Sequence, residues 1–214
     1  MINSILKRII STLVFLFVLL PIYSVTPDVS IFKSIGGNGD DYSQKIIPDN
    51  LGNFYVIGYF KSASLTIGSK TLIHSSSGNA HLYIAKFDST GNVIWAKTTA
   101  NNEIVYGLYA SLDRNGDLIF AGHFSSNTAT FGSTVLSNVS SPLAGQIYVA
   151  KIDSSGVYKW AKTTDVNSSS SSVYSLAVDG KNAIYITGHY QSNSIFFGSS
   201  GIYNSNPGYQ DTYL

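Results

Sequence analysis

Asp113-Arg114-Asn115-Gly116-Asp117 carries side-chain oxygens at the first, third and fifth positions of a Gly-containing turn. Oxygen donors on alternate residues can converge on one hard cation, so this spacing opens a calcium loop. The expected ligands are Asp113, Asn115 and Asp117. No glutamate follows at the distance from which a bidentate ligand would close such a loop; the one glutamate of the chain is Glu103, upstream. The related turns Asp49-Asn50-Leu51-Gly52-Asn53 and Asp179-Gly180-Lys181-Asn182-Ala183 keep the leading aspartate but lose most other donors. A second reading covers all three turns. The Asp side chain accepts local backbone N–H groups while Gly or Asn takes a positive φ.

The histidines are His74, His81, His123 and His189. His123 and His189 fall on one repeat position, which Tyr59 holds in the first unit. That set suggests packing or hydrogen bonding at a channel edge, because a metal would need ligands that converge and repeat equivalents are held apart. No G-x-S-x-G, H-E-x-x-H or G-x-x-x-x-G-K motif occurs. Acid/base chemistry by Asp and His would have to be assembled across repeat units. Trp95, Trp160, Lys97 and Lys162 recur at equivalent positions, which suits packing with lysine stems laid along it. No cofactor is expected.

The elements that position these groups are legible from composition and repetition. The chain has 214 residues, 44% apolar and only 12% charged. An ordinary domain carries about 25% charged residues. Net charge is +1, which leaves no electrostatic footprint for nucleic acid, and the absence of cysteine excludes disulfides and thiolate chemistry.

Lys7-Arg8 precede twelve residues, Ile9 to Leu20, apolar except for Ser11 and Thr12, and Pro21, Tyr23 and Ser24 follow. A basic start, a short apolar run and a polar exit predict a secretory signal peptide over residues 1–24. The alternative is an uncleaved anchor, since Ile9 to Pro27 is free of charge for 19 residues. Either way the chain is expected to be exported: periplasmic, cell-surface or secreted.

Beyond residue 28 the sequence repeats. Ala80–Thr99 and Gly145–Thr164 agree at 11 of 20 positions with an offset of 65. Gly52–Phe60, Gly116–Phe124 and Asn182–Tyr190 form a second set, and Gly68-Ser69, Gly132-Ser133 and Gly198-Ser199 a third. Each unit reads as four strands. Strand a is short and ends in Asp (Ile46–Asp49, Ala110–Asp113, Leu176–Asp179). Strand b, of the Phe54–Phe60 type, is apolar on both faces. A polar excursion with the Gly-Ser turn follows. Strand c is Leu82–Phe87 or Ile147–Ile152, and strand d is Val93–Thr98 or Tyr158–Thr163. Short aromatic and β-branched runs bounded by Gly, Asn, Asp and Ser are strand signals. A sheet whose strands are apolar on both faces must be covered on both sides, as stacked propeller blades are.

The run D-x-x-G-N-x-Y-V-x-G-x-F at Asp49–Phe60, the Ile67–Gly68 pair and Y-x-A-K-x-D-x-x-G-x-x-x-W-A-K-T at Tyr83–Thr98, with their copies, resemble the bacterial seven-bladed β-propeller repeat. Gly36 to Tyr42 is similar to that family's linker into strand a. The resemblance implies exported or surface bacterial proteins, mostly without an assigned activity, and carries no catalytic residues with it.

The expected fold is therefore all-β: four-stranded antiparallel propeller blades, about three of them, forming an incomplete propeller. Residues 28–34 align with strand d, 40–99 and 104–164 make whole blades, and 173–214 an incomplete one. A ring needs 4–8 blades, so the chain is expected to be a truncated fragment, to self-associate into a ring, or to persist as an open fan. Ser168–Ser172 is expected to be a loop. The leading functional expectation is a binding module for an unknown protein or glycan, with membrane contact only through an uncleaved N-terminal segment. The alternatives are an extracellular carbohydrate hydrolase or lyase, and a fragment without independent function.

Overall fold

The structure is a computed structural model that describes residues 31–74, 78–99, 104–138, 145–165, 171–206 and 208–214. The expected signal segment lies outside the described residues, as does Glu103. Among the described residues every regular element is a strand, and no helix is long and apolar enough to cross a membrane.

A short strand β1 (Ile35–Gly36) leads into the first unit. There β2 (Asp41–Pro48) and β3 (Phe54–Phe60) are followed by a small hairpin, β4 (Ser64–Ile67) and β5 (Lys70–Ile73), then by β6 (His81–Phe87) and β7 (Val93–Thr98). The second unit repeats this order with β8 (Val105–Leu112), β9 (Leu118–Phe124), the hairpin β10 (Thr128–Phe131) and β11 (Thr134–Ser137), β12 (Gln146–Ile152) and β13 (Tyr158–Thr163). In the third come β14 (Ser171–Val178), β15 (Ile184–Tyr190), the hairpin β16 (Ser194–Phe197) and β17 (Ser200–Tyr203), and β18 (Asp211–Tyr213). Two units form four-stranded antiparallel sheets in the order β2-β3-β6-β7 and β8-β9-β12-β13; the third is the three-stranded β14-β15-β18. These are propeller-type blades, as the repeat predicts.

Strand b, and strand d of the two whole blades, fall where the sequence places them; four elements differ, among them the strand d expected at residues 28–34. Strand a is twice the expected length, eight residues rather than four. Its first half was obscured because a register shift interrupts the alternation, between Ser43 and Lys45, Gly107 and Tyr109, and Val173 and Ser175. Ser171 and Ser172, expected in a loop, open β14 and pair with Tyr190 and His189. The polar excursions hold the outer hairpins. Each turns on two residues with Gly first and φ between +55 and +63 (Gly68, Gly132, Gly198). That conformation suits a Gly-first two-residue hairpin turn, whose twist matches the flanking strands. At the N-terminal end Ile31–Ser34 join no strand, and β1 pairs with the outer strand β4.

Alternation along strand b sends neighbours into different cores. Tyr55 and Ile57 pack with Leu118, Phe120 and Phe124 between the first and second blades. Val56 and Phe60 face the other way, onto Leu65, Ile67 and Leu72 of their own outer hairpin. Ile119 and Ala121 repeat the pattern toward Val173, Tyr190 and Ile195 of the third blade. The outer hairpin thus helps to cover one face of its blade while the next blade covers the other, which is why strand b lacks a polar side.

Candidate functional site

The turns joining strands a and b place the calcium candidates at the blade edge. Asp113 Oδ1 accepts the backbone N–H groups of Asn115 (2.8 Å) and Asp117 (3.1 Å), and Gly116 takes φ +76. Asp49 Oδ1 does the same for Leu51 and Asn53 with Gly52 at φ +84, and Asp179 Oδ1 for Lys181 and Ala183 with Asn182 at φ +66. The three turns share one backbone design, with Asn able to replace Gly because it tolerates the left-handed region. Asp88 and Asp153 build the turns between strands c and d in the same way. Hydrogen bonds from Asn92 and Thr90 hold the Asp88 carboxyl down at about 2.

The second oxygens of Asp49 and Asp113 face a lysine of strand c. Lys151 Nζ lies 2.6 Å from Asp113 Oδ2 and 2.9 Å from Asp117 Oδ2, so an ammonium sits between the two carboxylates. Burial alone would raise the Asp113 carboxyl, but the Lys151 hydrogen bond and the backbone N–H groups of Asp117 and Asn115 outweigh it and hold it below the carboxylate range. Asn115 contributes its backbone N–H to this arrangement. In the first blade Lys86 plays the same part, 3.5 Å from Asp49 Oδ2, and its ammonium also lies 4.9 Å from the centre of the Tyr55 ring. The lysine of A-K-x-D and the aspartate closing strand a are therefore partners, a link that no local motif reveals because 37 or 38 residues separate them. Among the described residues no three His, Cys, Asp or Glu side chains are grouped to hold a metal.

The histidines fall into two groups. His74 and His81 stack with ring centres 3.6 Å apart, against Phe60, in the first blade's core. His123 stacks on Tyr106 across strands a and b at 4.6 Å, as Tyr59 stacks on Tyr42 at 4.9 Å, and Tyr59 meets Tyr106 edge-on. His189 packs against Tyr174 at 5.1 Å. The shared repeat position is thus one of aromatic packing along strand a. Burial, with a smaller contribution from nearby His189, lowers the His123 imidazole to about 4. A lowered folded value means that the unfolded chain takes up a proton the folded chain refuses. Stability is then full above the usual value near 6.5 and falls as pH drops from there to about 4. His123→Gln is expected to remove roughly 3 kcal/mol of this acid sensitivity, read as a flatter dependence of urea midpoint on pH between 7 and 4. An unchanged slope would refute the assignment.

Trp95 and Lys86 tie the first blade to the second. Trp95 Nε1 donates to Ser154 O at 3.1 Å, Lys86 Nζ reaches the same carbonyl at 3.4 Å, and the Trp95 ring closes on Gly156. The Tyr55 hydroxyl donates to Gly116 O. The tryptophan and the lysine of strand c are joints between blades, as the packing reading of Trp95 expects.

No family model matches the chain. Over 202 residues it is 22% identical to an uncharacterized WD repeat-containing protein of Acanthamoeba polyphaga mimivirus, an alignment covering 82% of this chain and 14% of that protein. The chain therefore spans a small part of that relative's length. Repeated antiparallel blades that pack face against face, the first tied to the second by Trp95 and Lys86, together with that similarity, make this a β-propeller-like repeat protein.

Proposed function

We propose that the chain is an exported interaction module, of the bacterial seven-bladed repeat kind, that holds a protein partner on its outer hairpins. The observation that carries this reading is a repeated display. The second strand of each outer hairpin presents an exposed apolar side chain: Ile73 (69% exposed), Val135 (59%) and Tyr203 (75%). Scattered apolar residues are ordinary on a surface; recurrence on the same element of three units is what marks these. The a–b and c–d turns, by contrast, spend their carboxylates on local backbone N–H groups and neighbouring side chains, lysines at Asp49, Asp113 and Asp153. Export rests on Lys7-Arg8 and the apolar run behind them.

Two measurements test the reading. A photo-crosslinking residue placed at position 135 or 203 in cells that make the protein is expected to give a discrete protein adduct, while the same residue at exposed Leu51 gives none. A reporter fused after residue 30 is expected in the extracytoplasmic fraction, and Lys7→Glu with Arg8→Glu to hold it back. Equal adducts at all three positions would overturn the hairpin surface, and a reporter retained without those substitutions would overturn export.

A further inference from the structure

His74 follows the outer hairpin of the first blade and His81 opens its strand β6. The two rings stack with centres 3.6 Å apart and planes 22° from parallel. His74 is 4% exposed and His81 fully buried. Both rest on Phe60, at 5.0 and 5.9 Å, and Phe60 in turn packs with Leu65, Ile67 and Leu72 of the hairpin. Neither ring nitrogen of His74 has a hydrogen-bond partner. A buried imidazole without partners is costly when neutral and far costlier once charged. Burial holds the His74 imidazole below its ordinary value, against smaller opposing contributions from the Ser62 backbone and Asp41.

The repeat shows what this place holds in the other blades. The backbone N–H of His74 donates to Ala63 O, and those of Asn138 and Asn204 donate to the matching carbonyls of Asn127 and Asn193. His81, Gln146 and Asp211 pair in turn with Phe60, Phe124 and Tyr190. A polar pair therefore recurs: histidine with histidine, asparagine with glutamine, asparagine with aspartate. The second pair does not titrate, and Gln146 Nε2 donates to Thr164 O. In the third, Asn204 Nδ2 donates to Tyr209 O and Asp211 accepts the Ser205 N–H. The first blade is the one that joins hairpin to sheet through two imidazoles. Among the described residues, the carboxylate acting on His74 is Asp41 of β2, which already accepts the N–H groups of Gly37, Lys61 and Ser62 and the Ser62 hydroxyl. Tyr83 of β6 packs on Phe60 with its hydroxyl bonded to Ser43, and β4 and β5 bring apolar Leu65, Ile67 and Leu72.

We propose that this histidine pair is an acid-sensitive catch: protonation breaks the stack, and the outer hairpin β4–β5 loosens from Phe60 while the second blade's hairpin holds. A folded value held down means that the closed hairpin refuses a proton that the open one accepts. Closure is then complete above the ordinary value near 6.5 and weakens as pH falls below it. The second imidazole compounds the effect, because neighbouring imidazoliums repel. Ile73, on the strand that ends beside His74, is the first blade's member of the exposed apolar set, so opening withdraws one of the three contacts. That consequence rests on the outer-hairpin reading; the opening itself does not.

Hydrogen exchange of the whole protein, read by mass spectrometry and divided by intrinsic rates, compares residues 64–74 with 128–138 in one sample. Between about pH 7.5 and about pH 5 the first segment is expected to lose protection about tenfold or more relative to the second, the scale set by one imidazole that regains its ordinary value on opening. His74→Asn with His81→Gln, the second blade's own pair, is expected to abolish that difference. Should this variant melt early, the parent still carries the test, because both segments are compared within it. Protection lost equally by both segments, or by neither, would overturn the catch, as would an undiminished difference in a variant that melts with its parent. The consequence for the partner is read separately. A photo-crosslinking residue at position 73 is expected to lose its adduct at about pH 5 while one at 135 keeps it, and an adduct at 73 that survives would overturn regulation by the catch. No adduct at either position at about pH 7.5 would overturn the outer-hairpin reading and not the catch, which exchange decides.

Discussion

Gly122→Ala is expected to destabilise the chain by about 3 kcal/mol or more, a cost at the upper end for overpacking because the obstacle is backbone. Gly122 sits in the middle of β9, where strand propensity argues against glycine. A Cβ there would overlap the carbonyl oxygen of Tyr106 and come within 3.0 Å of the Tyr148 hydroxyl. That hydroxyl donates to Tyr106 O at 2.8 Å, next to the register shift between Gly107 and Tyr109. One device is present in all three blades. Gly58 lies under Tyr42 O with Tyr83 bonded to Ser43, and Gly188 under Ser172 O with Tyr213 donating to it. The shift pushes the carbonyl across strand b and the glycine makes room; the buried tyrosine of strand c caps that carbonyl in the second and third blades and bonds to the neighbouring Ser43 hydroxyl in the first. Gly116→Ala provides the scale. A Cβ there meets nothing within 4 Å, and only the positive φ of +76 opposes it, at about 1 kcal/mol. Urea unfolding followed by circular dichroism separates the two. If Gly122→Ala unfolds within about 0.5 kcal/mol of the parent, the device does not constrain the blade.

The same device shows what was legible in the sequence and what was not. Strands b and c, and strand d of the two whole blades, are legible almost to the residue because aromatic and β-branched residues cluster there between turns with Gly or Asn at positive φ. Strand a was half hidden, since an inserted residue shifts the alternation by one and the strand then reads as polar linker. The outer hairpins were hidden by composition: Ser, Thr and Gly dominate them, yet Leu65, Ile67, Ala129 and Phe131 are buried. The repeated glycine of strand b was visible as a motif letter, but its reason lies in a carbonyl from another strand. Asp113, Asn115 and Asp117 share one turn, as their spacing indicates. Their relation to Lys151 was out of sight, because a salt bridge across a sheet leaves no local spacing. The stacking of His74 on His81 was likewise invisible, although a pair of histidines bracketing a polar excursion was a usable hint.

Lys151→Met is expected to cost about 3 kcal/mol at neutral pH, within the range for removing one partner of a buried ion pair. Asp113 is only 3% exposed in its side chain, and Asp117 and Lys151 are 16% exposed. Without the ammonium, burial acts on two neighbouring carboxylates with nothing opposite them. The pH dependence gives a signature that lost packing cannot imitate. In the parent the Asp113 carboxyl is held below its ordinary value, so its contribution is present above the unfolded value near 3.8 and is lost as pH falls through the lower folded value. In the variant burial raises the carboxyl instead, protonation relieves it, and the gap between parent and variant narrows on acidification. Asp113→Asn in the Lys151→Met background keeps the Oδ1 that accepts Asn115 and Asp117 N–H while removing one charge, and is expected to recover more than half of the loss. The same pair of proteins tests the cation reading of the turn. Millimolar calcium is expected to leave the melting temperature of the parent unchanged, since Lys151 stands between the carboxylates, and to raise that of Lys151→Met if Asp113, Asn115 and Asp117 can converge on an ion. A Lys151→Met protein that melts with its parent from pH 4 to pH 8 would show that this ion pair is not what fastens strand c to the a–b turn.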